Sequence, residues 1–276
     1  MEIRFQNSPQ ETKQMNTEQL RENFLLQNLM QDDNVNMVYS HYDRMIIGSI
    51  KPVNKTIQLP NHPELKAAYF LERREMGIIN VGGTAVIIAE GKNFFINKLD
   101  CIYLGKGTKK VSFKSKSKND PALLYMLSCP AHRTYSNRLM KKEKASPVIL
   151  GDVSTSNKRT IYKYIHPEGI KSCQLVMGLT VLENGSVWNS VPPHTHTRRM
   201  EVYFYFDVPE SHRVFHFMGQ PQETRHLVVA NQEAVISAPW SVHYGCGTSN
   251  YGFIWGMAGE NQVFTDMDPA PVASLM

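Results

Sequence analysis

At 276 residues the chain can hold one large or two medium domains, and its 42% hydrophobic and 20% charged residues are ordinary for a globular protein. The net charge of +5 is mild, and its densest stretches, KGTKKVSFKSKSK (Lys106 to Lys118) and RLMKKEKAS (Arg138 to Ser146), lack the aromatic interleaving of a nucleic-acid surface. No apolar run approaches the ~20 residues of a membrane-spanning helix, so neither nucleic acid nor membrane is an expected partner.

The first residues, MEIRFQNSPQETKQ, carry no charged-then-apolar export pattern. Cys101, Cys129, Cys173 and Cys246 lie far apart without paired spacing, which reads as reduced thiols. The expectation is a cytoplasmic protein. Asn16 followed by Gln19 forms a capping box, and Leu20, Phe24, Leu25 and Leu29 form an apolar stripe, so a short helix is predicted here. Beyond Asp32 the pattern switches to short runs rich in Val, Ile, Tyr and Phe, broken by Gly, Pro, Asn and Asp. RMIIGSI, TAVIIAEG, CQLVMGLTVLENG and VYFYFDVPE are examples. This predicts an all-β sandwich or barrel with that single N-terminal helix.

The chain also repeats itself. Displaced by 140 residues, Thr84 to Thr108 lies over Thr224 to Thr248, and both segments end in G-x-G-T. Two tandem barrels are expected, residues 1–145 and 146–276, with the boundary near KKEKASP.

The chemistry concentrates in SVPPHTHTRRMEVYFYF, Ser190 to Phe206. On an extended strand, His194 and His196 share one face, about 6.6–7 Å apart. Glu201, five residues on, has the wrong parity for a straight continuation, and a turn at Thr197-Arg198-Arg199 would return it to the same side on a neighbouring strand. His243, in APWSVHYGCG, is read as ending another strand. Three imidazoles and a carboxylate converging inside a barrel form a ligand set for one divalent transition metal. At the displacement of 140, Asn54, Thr56, Asn61 and Tyr103 stand in their places, so the first barrel is expected to lack metal ligands.

H-x-H-x4-E followed about forty residues later by a histidine resembles the cupin signature, and the tandem arrangement resembles a bicupin of double-stranded β-helix (jelly-roll) barrels. Here PWSVH is one residue shorter than the usual second motif and lacks its glycine. VPPHTHTRRMEVYFYFDVPE with APWSVHYGCGTSNYGFIWGMAGENQ is similar to the 5-dehydro-4-deoxy-D-glucuronate isomerase family of pectin degradation, and ERREMGIINVGG and DMDP extend the likeness through the chain.

The resemblance implies an aldose–ketose isomerisation of a uronate to 3-deoxy-D-glycero-2,5-hexodiulosonate through an enediol or enediolate. It implies zinc as the metal, although the residue types equally admit manganese, iron or nickel. It also implies a homo-oligomer, expected to be a hexamer. Glu201 and Tyr203 are the candidate proton carriers, with Tyr205 on the same strand face. The substrate carboxylate calls for an arginine fork, for which Arg198, Arg199 and Arg225 are the candidates. Two rivals stand beside this: an iron dioxygenase, which would use the same ligands with redox-active iron, and a non-catalytic uronate-binding or storage cupin.

Overall fold

A computed structural model describes residues 1–276. The fold is almost entirely β, as expected, with each barrel-like unit built from a seven-stranded and a four-stranded sheet. The N-terminal segment holds two short helices rather than one. Thr17–Phe24 follows the Asn16/Gln19 capping box, in which Asn16 Oδ1 accepts from the Gln19 amide and Gln19 Oε1 from the Asn16 amide. Leu25–Leu26 then leaves the helix as a strand. The second helix, Pro9–Gln14, starts from a capping box of Ser8 and Glu11 with proline in its first turn. No helix is long and apolar enough to cross a membrane.

The chain divides into two compact units: Met1–Arg4 with Leu29–Ser146 and Lys163–Met177, and Phe5–Asn28 with Pro147–Tyr162 and Gly178–Met276. One crossing lies at Ser146–Pro147, inside the KKEKASP stretch, but no single cut describes the units. The strand Leu25–Leu26 explains part of the exchange, because it forms the edge of the second unit's large sheet beside Ala234–Ser237.

In the first unit the large sheet runs Glu2–Arg4, Val35–Ser40, Ile46–Ile50, Leu124–Pro130, Arg74–Asn80, Cys101–Leu104, Arg138–Met140. The small sheet runs Ile57–Gln58, Val111–Ser115, Ala85–Ala89, Lys92–Ile96. Both contribute to one apolar cluster that includes Ile46, Met76, Ile78, Ile87, Phe113 and Met126. The other seven-stranded sheet runs Val148–Leu150, Arg159–Ile165, Val176–Leu182, Gly252–Gly259, Arg199–Phe206, Ala234–Ser237, Leu25–Leu26, most of it in the second unit. Its partner is Trp188–Asn189, Tyr244–Gly247, Val214–Gln220, Glu223–Val229.

The two architectures correspond strand for strand, which corrects the displacement of 140. Arg74–Asn80 takes the place of Arg199–Phe206, and Met76, paired with Leu104 and Ser128, sits on the rung of Glu201, paired with Ser237 and Met257. The offset from Met76 to Glu201 is 125. At 140, Ala85–Ala89 falls on Glu223–Val229, one strand beyond its structural counterpart Val214–Gln220. Short strands of similar apolar content can be slid by a whole hairpin arm without spoiling the match, which is why the sequence repeat misled.

Glu75 shows what one residue of register does. Met76 points into the core, so the pleat turns Glu75 to the opposite face. There its fully buried carboxylate accepts hydrogen bonds from the amides of Cys173, Gln174 and Leu175, at 2.7–2.9 Å, and from the Tyr103 hydroxyl at 2.8 Å. The carboxylate pins that loop to the first unit. Glu75→Ala strands these donors and is expected to cost about 3–5 kcal/mol of stability. Urea unfolding checks this, and a loss below about 1 kcal/mol contradicts it.

Candidate metal centre

His194–Thr195 is a two-residue strand that pairs with Asp268–Pro269. A turn follows at Thr197–Arg198, closed by the Arg199 amide donating to the His196 carbonyl at 3.1 Å. The chain then enters Arg199–Phe206, a central strand buried along its whole length. The predicted change of direction between His196 and Glu201 is therefore present. Along this strand Glu201, Tyr203 and Tyr205 occupy one face, while Met200, Val202, Phe204 and Phe206 occupy the other. That alternation explains how a polar-aromatic sequence can be buried on both sides. His243 stands just before the strand Tyr244–Gly247 rather than at a strand's end, in a turn where the Ser241 amide donates to the Ala238 carbonyl.

These elements bring His194, His196, Glu201 and His243 into a group that could hold a metal ion, with one ligand atom from each, all within 4.8 Å of one another. Glu201 Oε2 lies 3.2 Å from His196 Nε2 and 3.0 Å from His243 Nε2, and His243 Nε2 lies 3.1 Å from His194 Nε2. His196, Glu201 and His243 are buried, and His194 is half-buried.

Burial, then the nearby His243, pulls His194 down to about 3, and burial is also the main cause that lowers His196. Burial opposes ionisation of Glu201, but its neighbours His243 and His196 together hold the carboxyl well below its usual range. The set thus offers neutral imidazoles at His194 and His196 and a carboxylate, the protonation states a metal requires.

The hydrogen bonding of His243 sharpens this fit. Its Nδ1 lies 3.1 Å from the Ser241 carbonyl, which can only accept, so Nδ1 carries the proton. In the neutral ring, Nε2 then presents a lone pair to the Glu201 carboxylate and to His194. Such a juxtaposition of acceptors is repulsive unless a proton on Nε2 or a metal cation stands among them. A backbone carbonyl fixing the outer nitrogen is also how metal-ligating histidines are commonly oriented. Three separations of 3.0–3.2 Å suit neighbouring donors at roughly right angles about one cation with bond lengths of about 2.0–2.2 Å.

The group opens into a cavity of about 250 Å³ whose lining includes His194, His196, Arg199, Glu201, Tyr203 and Ser190. Leu150, Ile161, Phe253, Trp255, Phe264 and Met267 give it apolar walls. Trp255 is seated by Gly178, where a Cβ would stand 2.3 Å from the indole, and its Nε1 donates to Thr180 Oγ1 at 3.2 Å. The Tyr203 hydroxyl is 2.7 Å from Ser190 Oγ. Burial, then Glu201, pushes it well above the ordinary tyrosine range, so it keeps its proton.

Sequence-predicted residues that do not line this cavity are accounted for by other partners. Arg198 is half-exposed and pairs with Asp266 and Asp268 at 2.6 and 2.9 Å. Arg225 donates to the carbonyls of Lys13 and Met15, capping the end of the Pro9–Gln14 helix. Arg199 does line the cavity, but its Nη1 and Nη2 donate to the carbonyls of Val263 and Asp266. Tyr205 is bonded to the buried His216, 2.8 Å from its Nδ1. Arg159, which the sequence reading passed over, lines the cavity. It belongs to no motif, and only the fold brings it near His194 and Glu201.

The profile of the KduI/IolB family matches residues 24–272. A protein of Caldicellulosiruptor bescii is 51% identical over 275 residues, 100% of both chains, and one of Halalkalibacterium halodurans is 52% identical over 268 residues, 97% of both. Both are named 4-deoxy-L-threo-5-hexosulose-uronate ketol-isomerase. Among solved structures, an IolB-like protein from Salmonella typhimurium superposes with a TM-score of 0.68 at 16% identity, covering 87% of this chain and 94% of its own. A variant of Bacillus subtilis oxalate decarboxylase does so at 0.56 and 10% identity, over 79% and 70%, which places the fold among tandem cupin barrels.

Replacing His196 or His243 with alanine is expected to weaken cobalt(II) binding at least about 100-fold, read from the visible absorption of the bound ion. Unchanged affinity in both variants contradicts the ligand set. Fold, site geometry and full-length identity agree: the chain belongs to the KduI/IolB family.

Proposed function

We propose that this protein is a metal-dependent ketol-isomerase that converts 5-dehydro-4-deoxy-D-glucuronate to 3-deoxy-D-glycero-2,5-hexodiulosonate. The observation that carries the reading is the buried three-histidine, one-glutamate group opening into a cavity, in a chain about half identical over its full length to proteins named for this reaction.

His194, His196, Glu201 and His243 would hold one divalent cation, zinc by resemblance, and when bound it polarises the substrate's carbonyl and hydroxyl oxygens and lowers the cost of negative charge beside the reacting carbons. The reaction removes a proton from C2 and delivers one to C1, while the hydroxyl proton moves from the C2 oxygen to the C1 oxygen. Glu201 is the carboxylate at the cavity and serves as the carrier between the carbons. The Tyr203 hydroxyl, oriented by Ser190 and holding its proton, serves as the carrier between the oxygens. The apolar walls formed by Phe253, Trp255 and Phe264 restrict water, which keeps the transferred protons local.

The same reading assigns the chemistry to the later barrel, residues 146–276 in the linear division, and structure to the earlier one, residues 1–145. It places the chain in the cytoplasm as a homo-oligomer, a hexamer by resemblance. The exposed apolar edge strand Val148–Leu150 supports assembly.

The protein is expected to isomerise the uronate under anaerobic conditions, followed by proton NMR in deuterated water. Stripping metal with a chelator should lower the rate at least about 100-fold, and one equivalent of divalent cation should restore it. A requirement for oxygen, or full activity in metal-free protein, contradicts the reading. Tyr203→Phe is expected to lower kcat about 10–100-fold with metal content unchanged, and a kcat equal to that of the parent removes Tyr203 from the proton path.

A further inference from the structure

A uronate carries a carboxylate, and the candidate guanidinium groups differ in what they have left to offer it. Arg198 is paired with Asp266 and Asp268, and Arg225 with the carbonyls of Lys13 and Met15. Arg199 has both terminal nitrogens on the carbonyls of Val263 and Asp266, which leaves its buried Nε unpartnered but no two-nitrogen fork free.

Arg159 is different. It begins the strand Arg159–Ile165 and lines the same cavity as His194, His196 and Glu201. Its Nη1 donates to the Asn157 carbonyl at 2.8 Å, which anchors the side chain, and its remaining donors have no protein acceptor. No acidic side chain of this chain neutralises it, although it is half-buried against apolar walls and burial lowers its hold on the proton. A partly desolvated guanidinium with open donors, in a cavity walled by Ile161, Phe253 and Trp255, is a receptor for an anion.

We propose that Arg159 is the substrate-positioning residue that receives the uronate carboxylate, and so sets the preference for acidic over neutral sugars. The inference rests on the uronate-isomerase reading. It also accounts for a charge that the metal chemistry alone leaves without a role. The carboxylate is remote from the reacting carbons, so its capture fixes where C1 and C2 lie relative to Glu201 and Tyr203.

The test compares the parent protein, Arg159→Gln and Arg159→Lys, each with its divalent metal and each shown by circular dichroism to be folded. Two readouts are taken with 5-dehydro-4-deoxy-D-glucuronate: kcat and KM, and calorimetric binding to the same metal-loaded proteins. Arg159→Gln is expected to raise KM at least about 30-fold with a smaller change in kcat and unchanged metal content, since it removes a charge-assisted fork. Arg159→Lys, which keeps the charge but not the fork, should fall between the two. A KM within about threefold of the parent in Arg159→Gln overturns the proposal. If the parent does not turn the uronate over, the isomerase reading fails by itself, and the binding arm still decides the arginine. Binding by the parent that Arg159→Gln loses supports the assignment, whereas equal binding, or none by either protein, overturns it.

Discussion

Glu201 meets the ring nitrogens of His196 and His243 at 3.0–3.2 Å in a place almost closed to water. A carboxylate so buried costs several kcal/mol unless something compensates it. With Nδ1 of His243 committed to the Ser241 carbonyl, the compensation available from neutral rings is incomplete. A divalent cation would resolve that tension, and the surrounding structure holds the four groups in place to receive one. The turn after His196, the central position of Arg199–Phe206 in its sheet and the turn before Tyr244 each deliver one part of the set.

The first unit shows that the frame does not require the chemistry. Its sheets follow the same order, yet Met76 occupies the rung of Glu201 and packs into an apolar core. The acidic residue of that strand, Glu75, lies one position away and faces the other side. There the amides of Cys173, Gln174 and Leu175 satisfy it, and it pins a loop. One fold thus spends a buried glutamate on structure in one unit and on a candidate metal group in the other. The difference is a single step of strand register.

The clustering of the four candidate ligands was legible in the sequence because their spacing has a mechanical meaning. His194 and His196 are two apart, a turn follows, and Glu201 falls on an inward position of the next strand. His243 was also found, though its place before the strand rather than at its end required coordinates. The all-β class followed from short apolar runs between turn residues. The helix Pro9–Gln14 was missed although Ser8, Pro9 and Glu11 spell its start, because it has only six residues and buries just Thr12. The exchange of Phe5–Asn28 and Lys163–Met177 between units is set by tertiary pairing, which local pattern does not encode. Arginines are the hardest class. Arg198 and Arg199 stood nearest the histidines in sequence, but Asp266, Asp268 and the Val263 carbonyl lie on a later segment and hold their terminal nitrogens.

The four side chains of the later barrel would hold one cation. Anomalous diffraction from crystals of catalytically active protein, recorded at the absorption edge of its resident metal, tests this most directly. The prediction is one peak per chain, within about 2.3 Å of Nε2 of His194, His196 and His243 and of Oε2 of Glu201. A peak elsewhere, or none among these four atoms in active protein, would contradict it.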